Sequence, residues 1–204
     1  MPTIRSTSAL VAITSIAVLA LTACAAPQTV EPSETPTADA SPSPTPTAVP
    51  MVYEQPTDCE QLLPQSRRDS FTAEHLVLLG GPGGKFGNDY LADETPEEQA
   101  GGLTCIWGDN ASNNSAFTVS AAPLTAENRS PIIDTLIAQG LNAGTAGNTN
   151  TFGEQGDTTE APAILNVLRS DSWISVISTK GGLAKSEECQ AIADDVAKAV
   201  YRAA

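Results

Sequence analysis

The sequence predicts an α+β fold, a two-layer sandwich in which an antiparallel sheet of about four strands carries helices on one face, in the order α-ββ-α-ββ-α. Three observations predict it. Two pairs of β-rich runs are each separated by turn residues; Trp173-Ile174-Ser175-Val176-Ile177-Ser178 alternates; and Cys189, Ile192, Val196 and Val200 recur at helical spacing near the end of the chain. A strand with one apolar face and a helix with one apolar stripe each need a surface to bury against, which is the reason for two layers.

The elements follow in order. Asp58 with Gln61 three residues on resembles a capping box and opens a short helix through Leu62-Leu63, which Pro64 interrupts. A second helical stretch is predicted from about Ser70 to Leu79, ended by Gly80 to Gly84, with a loop rich in Gly, Asp and Glu running on to Gly102. Leu103 to Trp107 and Ala116 to Ala121 read as two strands joined across Gly108-Asp109-Asn110 to Asn114, a hairpin. Ser130 with Pro131 at the first helical position begins a third helix through Ile132, Ile133, Leu136 and Ile137, closed at Gly140. A Gly, Asn and Thr-rich loop is expected to about Glu160. Ala163 to Arg169 and Trp173 to Thr179 then form a second hairpin about the turn Ser170-Asp171-Ser172. Ser186 is read as the cap of the last helix, with Glu187 and Glu188 in a first turn whose dipole they favour.

The region before these elements carries an address. Residues 1 to 23 read as a secretory signal: Arg5 near the start, an apolar stretch from Ala9 to Leu21, and small residues at the cut. That stretch, about 13 residues, falls short of the roughly 20 that cross a bilayer. Leu21-Thr22-Ala23-Cys24 resembles the bacterial lipobox, which implies a diacylglyceryl group and palmitate on Cys24 and cleavage before it. At on the order of 0.8 kcal/mol per buried methylene, several acyl chains hold a protein firmly. The chain is therefore expected on the extracytoplasmic face of the cell membrane, anchored by its lipid. Residues 24 to 56 read as the lipidated N-terminus and a disordered tether rich in Pro, Thr and Ser, as in Ser41-Pro42-Ser43-Pro44-Thr45-Pro46-Thr47. Thirty residues at about 3.1 Å each reach up to ~90 Å. A single globular domain is expected from 57 to 204.

Composition narrows the partners. The whole chain carries a net charge of −14, and residues 1 to 23 remove only Arg5 from it, so the exported part is one unit more negative. Such a surface repels phosphate backbones and anionic headgroups, which excludes nucleic acid as a partner and a polybasic grip on the membrane.

With Cys24 lipidated, three cysteines remain in a compartment that permits disulfides. Cys59 with Cys105 is the favoured pair, and pairing of Cys189 with either remains the alternative. Cys189 lies on the apolar face of the last helix, where a cysteine behaves as a small hydrophobe. Gly80-Gly81-Pro82-Gly83-Gly84-Lys85 departs from a phosphate-binding loop at Leu79 and Phe86, and follows a predicted helix where such a loop follows a strand. It reads as a flexible loop. His75 is the single histidine, which excludes a metal site built on paired histidines and leaves any histidine-assisted nucleophile dependent on this residue. The neighbouring acids Glu97-Glu98, Glu187-Glu188 and Asp194-Asp195 read as solvated surface. No catalytic residue, metal site or cofactor is assigned. If a ligand pocket exists, Trp107, Phe117 and Trp173, one or two aromatics per hairpin, are the residues expected to line it.

Asp58-Cys59-Glu60-Gln61-Leu62-Leu63, then Cys105-Ile106-Trp107, then Glu188-Cys189 at a terminal helix, behind a lipobox and a Pro/Thr linker, together resemble the small actinobacterial cell-envelope lipoproteins of uncharacterised function. The resemblance implies an α+β domain with a bridge from Cys59 to the Cys-x-Trp cysteine, Cys105, and no assigned catalytic residues. The chain departs where a fourth domain cysteine would complete a second bridge. The functional expectation is a non-enzymatic binding or interaction module of the cell envelope, taking a protein, glycan or lipid. The alternative is a cell-wall or lipid-processing hydrolase.

Overall fold

The computed structural model describes residues 49–81, 93–112 and 114–204. The predicted signal peptide, Cys24, the tether up to residue 48 and most of the Gly80–Lys85 loop lie outside these residues. The described residues belong to one compact unit.

The predicted four-stranded, one-sided sandwich is overturned. The main sheet has seven strands, all antiparallel, and helices pack against both of its faces. In chain order the elements are β1 (Met51–Tyr53), α1 (Cys59–Leu62), α2 (Gln65–Ala73), β2 (Leu76–Gly80), α3 (Pro96–Gln99), β3 (Leu103–Asp109), β4 (Asn114–Pro123), α4 (Arg129–Ala138), β5 (Asn142–Ala146), β6 (Thr149–Glu154), β7 (Ala163–Leu168), β8 (Ser172–Ser178), α5 (Leu183–Val200) and β9 (Tyr201–Ala203). The sheet order is β2-β3-β4-β8-β7-β6-β5, and β1 pairs with β9 in a separate ribbon.

Both predicted hairpins form, β3 with β4 and β7 with β8, and the β4–β8 pairing joins them at the centre of the sheet. The Asp58 cap of α1 forms, its carboxylate accepting from the Gln61 backbone N–H at 2.9 Å, but the box does not close: the Gln61 side chain accepts from the Thr57 N–H and not from that of Asp58. The second helix differs: it ends at Ala73, His75 takes a left-handed φ of 62°, and Leu76–Gly80 becomes edge strand β2 against β3. Five apolar or small residues in a row carry no period that separates a buried helix end from a strand. The loop expected between Gly140 and Glu160 contains the hairpin β5–β6, whose outer strand is exposed along its whole length and therefore lacks apolar alternation. The last helix starts at Leu183 after Gly182 at φ 92°, so Ser186 sits inside it and is not its cap. Met51–Tyr53, within the segment read as tether, pairs with the end of the chain.

One sheet face holds the larger core. Cys105, Trp107, Phe117, Val119, Ile174 and Val176 meet Leu62, Phe71 and the α5 stripe Cys189, Ile192, Val196 and Val200. That stripe is the one read from the sequence. The Cys59–Cys105 disulfide forms, spanning 5.8 Å between Cα atoms, and ties α1 to the middle of β3. Cys189 is a buried free thiol, and burial pushes its pKa up to about 11, so it is a poor nucleophile at neutral pH. On the other face Ala122, Leu168, Phe152 and Trp173 pack with Leu136, Ile132 and Ile133 of α4.

Candidate functional site

Alternation along the strands sends successive side chains to opposite faces, and this separates the three aromatics expected to share a pocket. Trp107 and Phe117 are cross-strand partners in the larger core, both packed on Phe71 with ring centroids 5.6 and 5.4 Å away. Trp173 lies on the opposite face with α4. Each lines a different cavity. Trp107 borders a cleft of about 270 Å3 with Arg68 and the exposed Val77 and Leu78. Phe117 borders one of about 680 Å3 with Lys180 and Lys185, the Lys185 ammonium lying 5.0 Å from its ring centre. Trp173 borders the largest of the three, about 780 Å3, a groove between α3 and α4.

The Trp173 groove has the features of a binding site. Its floor is the second sheet face, where Ile164, Asn166, Trp173, Ser175 and Ile177 point, and its walls are α3 and α4. The floor is unusually polar for a sheet covered by helices: Asn166 and Ser175 are buried, as are Thr104 and Ser120 on the neighbouring strands. The hydroxyls of Thr95, Thr104 and Ser120 form a chain with spacings of 2.7 and 2.9 Å. Asn166 Oδ1 accepts from Trp173 Nε1 at 2.9 Å, which locks the indole against the sheet. Buried polar groups need such partners.

Glu97 is the residue sequence reasoning missed. Read there as solvated surface, it is only 7% exposed and lines the groove. Its position follows from local chemistry. Thr95 and Glu98 form a reciprocal capping box with Pro96 at the first helical position, which fixes α3 and leaves the intervening Glu97 facing the sheet. Gly102 lets α3 sit close: a Cβ there would lie 2.5 Å from the Ala121 carbonyl oxygen and 2.6 Å from that of Glu97. The motif Thr95-x-x-Glu98 was legible; which acid of the pair turns inward was not.

No protein-family model, curated protein or solved structure matches this chain. The site is therefore read from its own chemistry. Burial raises the Glu97 pKa above its ordinary value of 4.5, while its backbone and the hydroxyls of Ser175 and Thr95 pull the other way. No ion pair to Glu97 is found among the described residues. Among the described residues no cluster of three metal-ligating side chains occurs, and no helix is long and apolar enough to cross a membrane. His75 stands exposed at the α2–β2 turn, away from this lining.

The raised pKa has a consequence for stability. A carboxyl whose pKa is higher folded than unfolded contributes stability below its unfolded value, and loses it as pH rises through the folded value. Glu97→Gln keeps the shape and cannot ionise. The variant should therefore melt above the wild type at about pH 7, with the gap closing as pH falls towards about 4. Melting curves of both chains across this range check it; a gap that stays constant, or widens on acidification, refutes the assignment.

Proposed function

We propose that this chain is an extracytoplasmic lipoprotein, anchored through Cys24, whose domain is a non-enzymatic binding module taking a small ligand in the groove between α3 and α4. The groove carries the reading: about 780 Å3 of open space that combines half-buried Ile164 and Ile177 with the polar groups of Ser175 and Glu97. Pockets for small molecules have this mixture, an apolar lining for affinity and a few fixed polar groups for orientation. The lipobox supports the anchor, and the composition of the segment before Pro56 supports a spacer.

Native and denaturing mass spectra of the full chain, extracted from the membranes of an exporting host, test both halves. A mass released on denaturation from wild type, and absent from a Thr135→Trp variant that fills the groove from its exposed α4 wall, is the expected result. Equal release from both chains overturns the groove. Cys24→Ser should move the protein from the membrane fraction to the soluble one; unchanged fractionation overturns the anchor.

A further inference from the structure

We infer that the groove takes a primary ammonium group carried on an aliphatic stem, with Glu97 receiving the ammonium and Ile164 and Ile177 receiving the stem. This deepens the binding reading above and rests on it.

Charge is the first argument. Among the described residues, the groove lining contains two carboxylates, Glu97 and Glu127, and no lysine, arginine or histidine. Glu127 is exposed at the rim, where it draws a cation in; Glu97 is buried, where it holds one. An anionic ligand would meet two like charges in this lining. A buried carboxylate that lacks a cationic partner is costly when ionised, and a ligand that brings the cation removes that cost.

Shape and polarity are the second. Ile164, Ile177 and Ile132 leave apolar surface half-buried in an otherwise open groove, which suits methylene groups. The same geometry argues against a sugar. Trp173 is 4% exposed and its ring N–H is already donated to Asn166, so it offers no open face on which a pyranose would stack. Asn166, held between Trp173 and the Phe152 carbonyl, is likewise committed to the protein. The Ser175 hydroxyl remains beside Glu97 as a second acceptor for an ammonium, which has three donors.

Calorimetry of the full chain in detergent micelles, with protein-free micelles as the blank, tests this using hexylammonium, hexanol and hexanoate. These share one stem and differ in the head group. Hexylammonium should bind about tenfold or more tightly than hexanol, hexanoate should bind weakest, and Glu97→Gln should remove most of the ammonium preference while leaving hexanol little changed. Nα-acetyl-lysine methylamide separates the two sources of such a group. Tighter binding of it than of hexylammonium assigns the site to a protein lysine, and the reverse order to a free amine; either supports the inference. Hexanol binding as tightly as hexylammonium in wild type overturns the ammonium assignment and leaves the groove reading standing. Failure of all three six-carbon probes and of the lysine derivative overturns the inference, and the native-mass comparison then decides the groove on its own. The ranking is read on wild type, so it holds even if the variant misfolds.

Discussion

Replacing Cys59 and Cys105 together by alanine should lower the stability of the domain by about 4 kcal/mol, the chain-entropy value for closing a loop of this length. The bridged residues are 46 apart in sequence, and both sulfurs are buried where α1 meets the centre of β3. The size of the effect follows from what α1 is. Four residues cannot hold a helix by their own hydrogen bonds, so α1 depends on its cap and on this covalent tie. Once untied, Leu62 and Leu63, both nearly fully buried, lose their fixed position over the sheet. Against a typical total of about 5–15 kcal/mol, the loss is a large fraction of the whole. Urea unfolding of the oxidised wild type and of the double variant measures it. A difference under about 1 kcal/mol would mean that α1 packs as well without the bridge.

Phe117→Ala is expected to cost about 3–5 kcal/mol, the range for removing a buried aromatic ring and leaving its cavity. Phe117 is 1% exposed, stacks on Phe71 at an interplanar angle of 12°, and stands opposite Trp107 across the β3–β4 ladder. The Lys185 ammonium lies over its ring, 5.0 Å from the centroid. The ring therefore joins three elements, α2, β3 and the start of α5, through one contact set. Chemical denaturation followed by circular dichroism gives the number. A midpoint within error of wild type would remove Phe117 from the core, and a changed slope would point to a less compact native state.

Much of this fold is written locally. The Asp58 cap of α1, the two central hairpins and the α5 stripe are each specified by residues within a few positions of one another, and all four form where the sequence places them. The parts that escaped are those whose pattern is weak because of where they sit. Strands β2 and β5 are sheet edges: β5 buries nothing, and β2 exposes Val77 and Leu78, so neither shows apolar alternation. Strands β1 and β9 have three residues each and exist through their mutual pairing, a contact between positions about 150 apart that no local window contains.

The site divides in the same way. Trp173 was named from its strand, but its separation from Trp107 and Phe117 is a matter of parity: positions 107 and 117 face each other in register, and Trp173 pairs with Ala122 on the other side of the sheet. Glu97 was visible only as one of two neighbouring acids in a predicted loop, and charge alone reads as solvent. Its burial is decided by Gly102, whose missing side chain admits α3 against β4, and by the hydroxyl-rich face that α3 then covers.

By itself, then, the sequence determined the elements whose signals are short-range: the Asp58 cap, the two central hairpins and one helix stripe, and it favoured Cys59–Cys105 among the possible disulfides. Only the tertiary structure decided how many strands the sheet has, that both its faces are covered, and that an acid lies buried in a groove, because each of these depends on contacts between segments far apart in the chain and on which way a side chain turns once they meet.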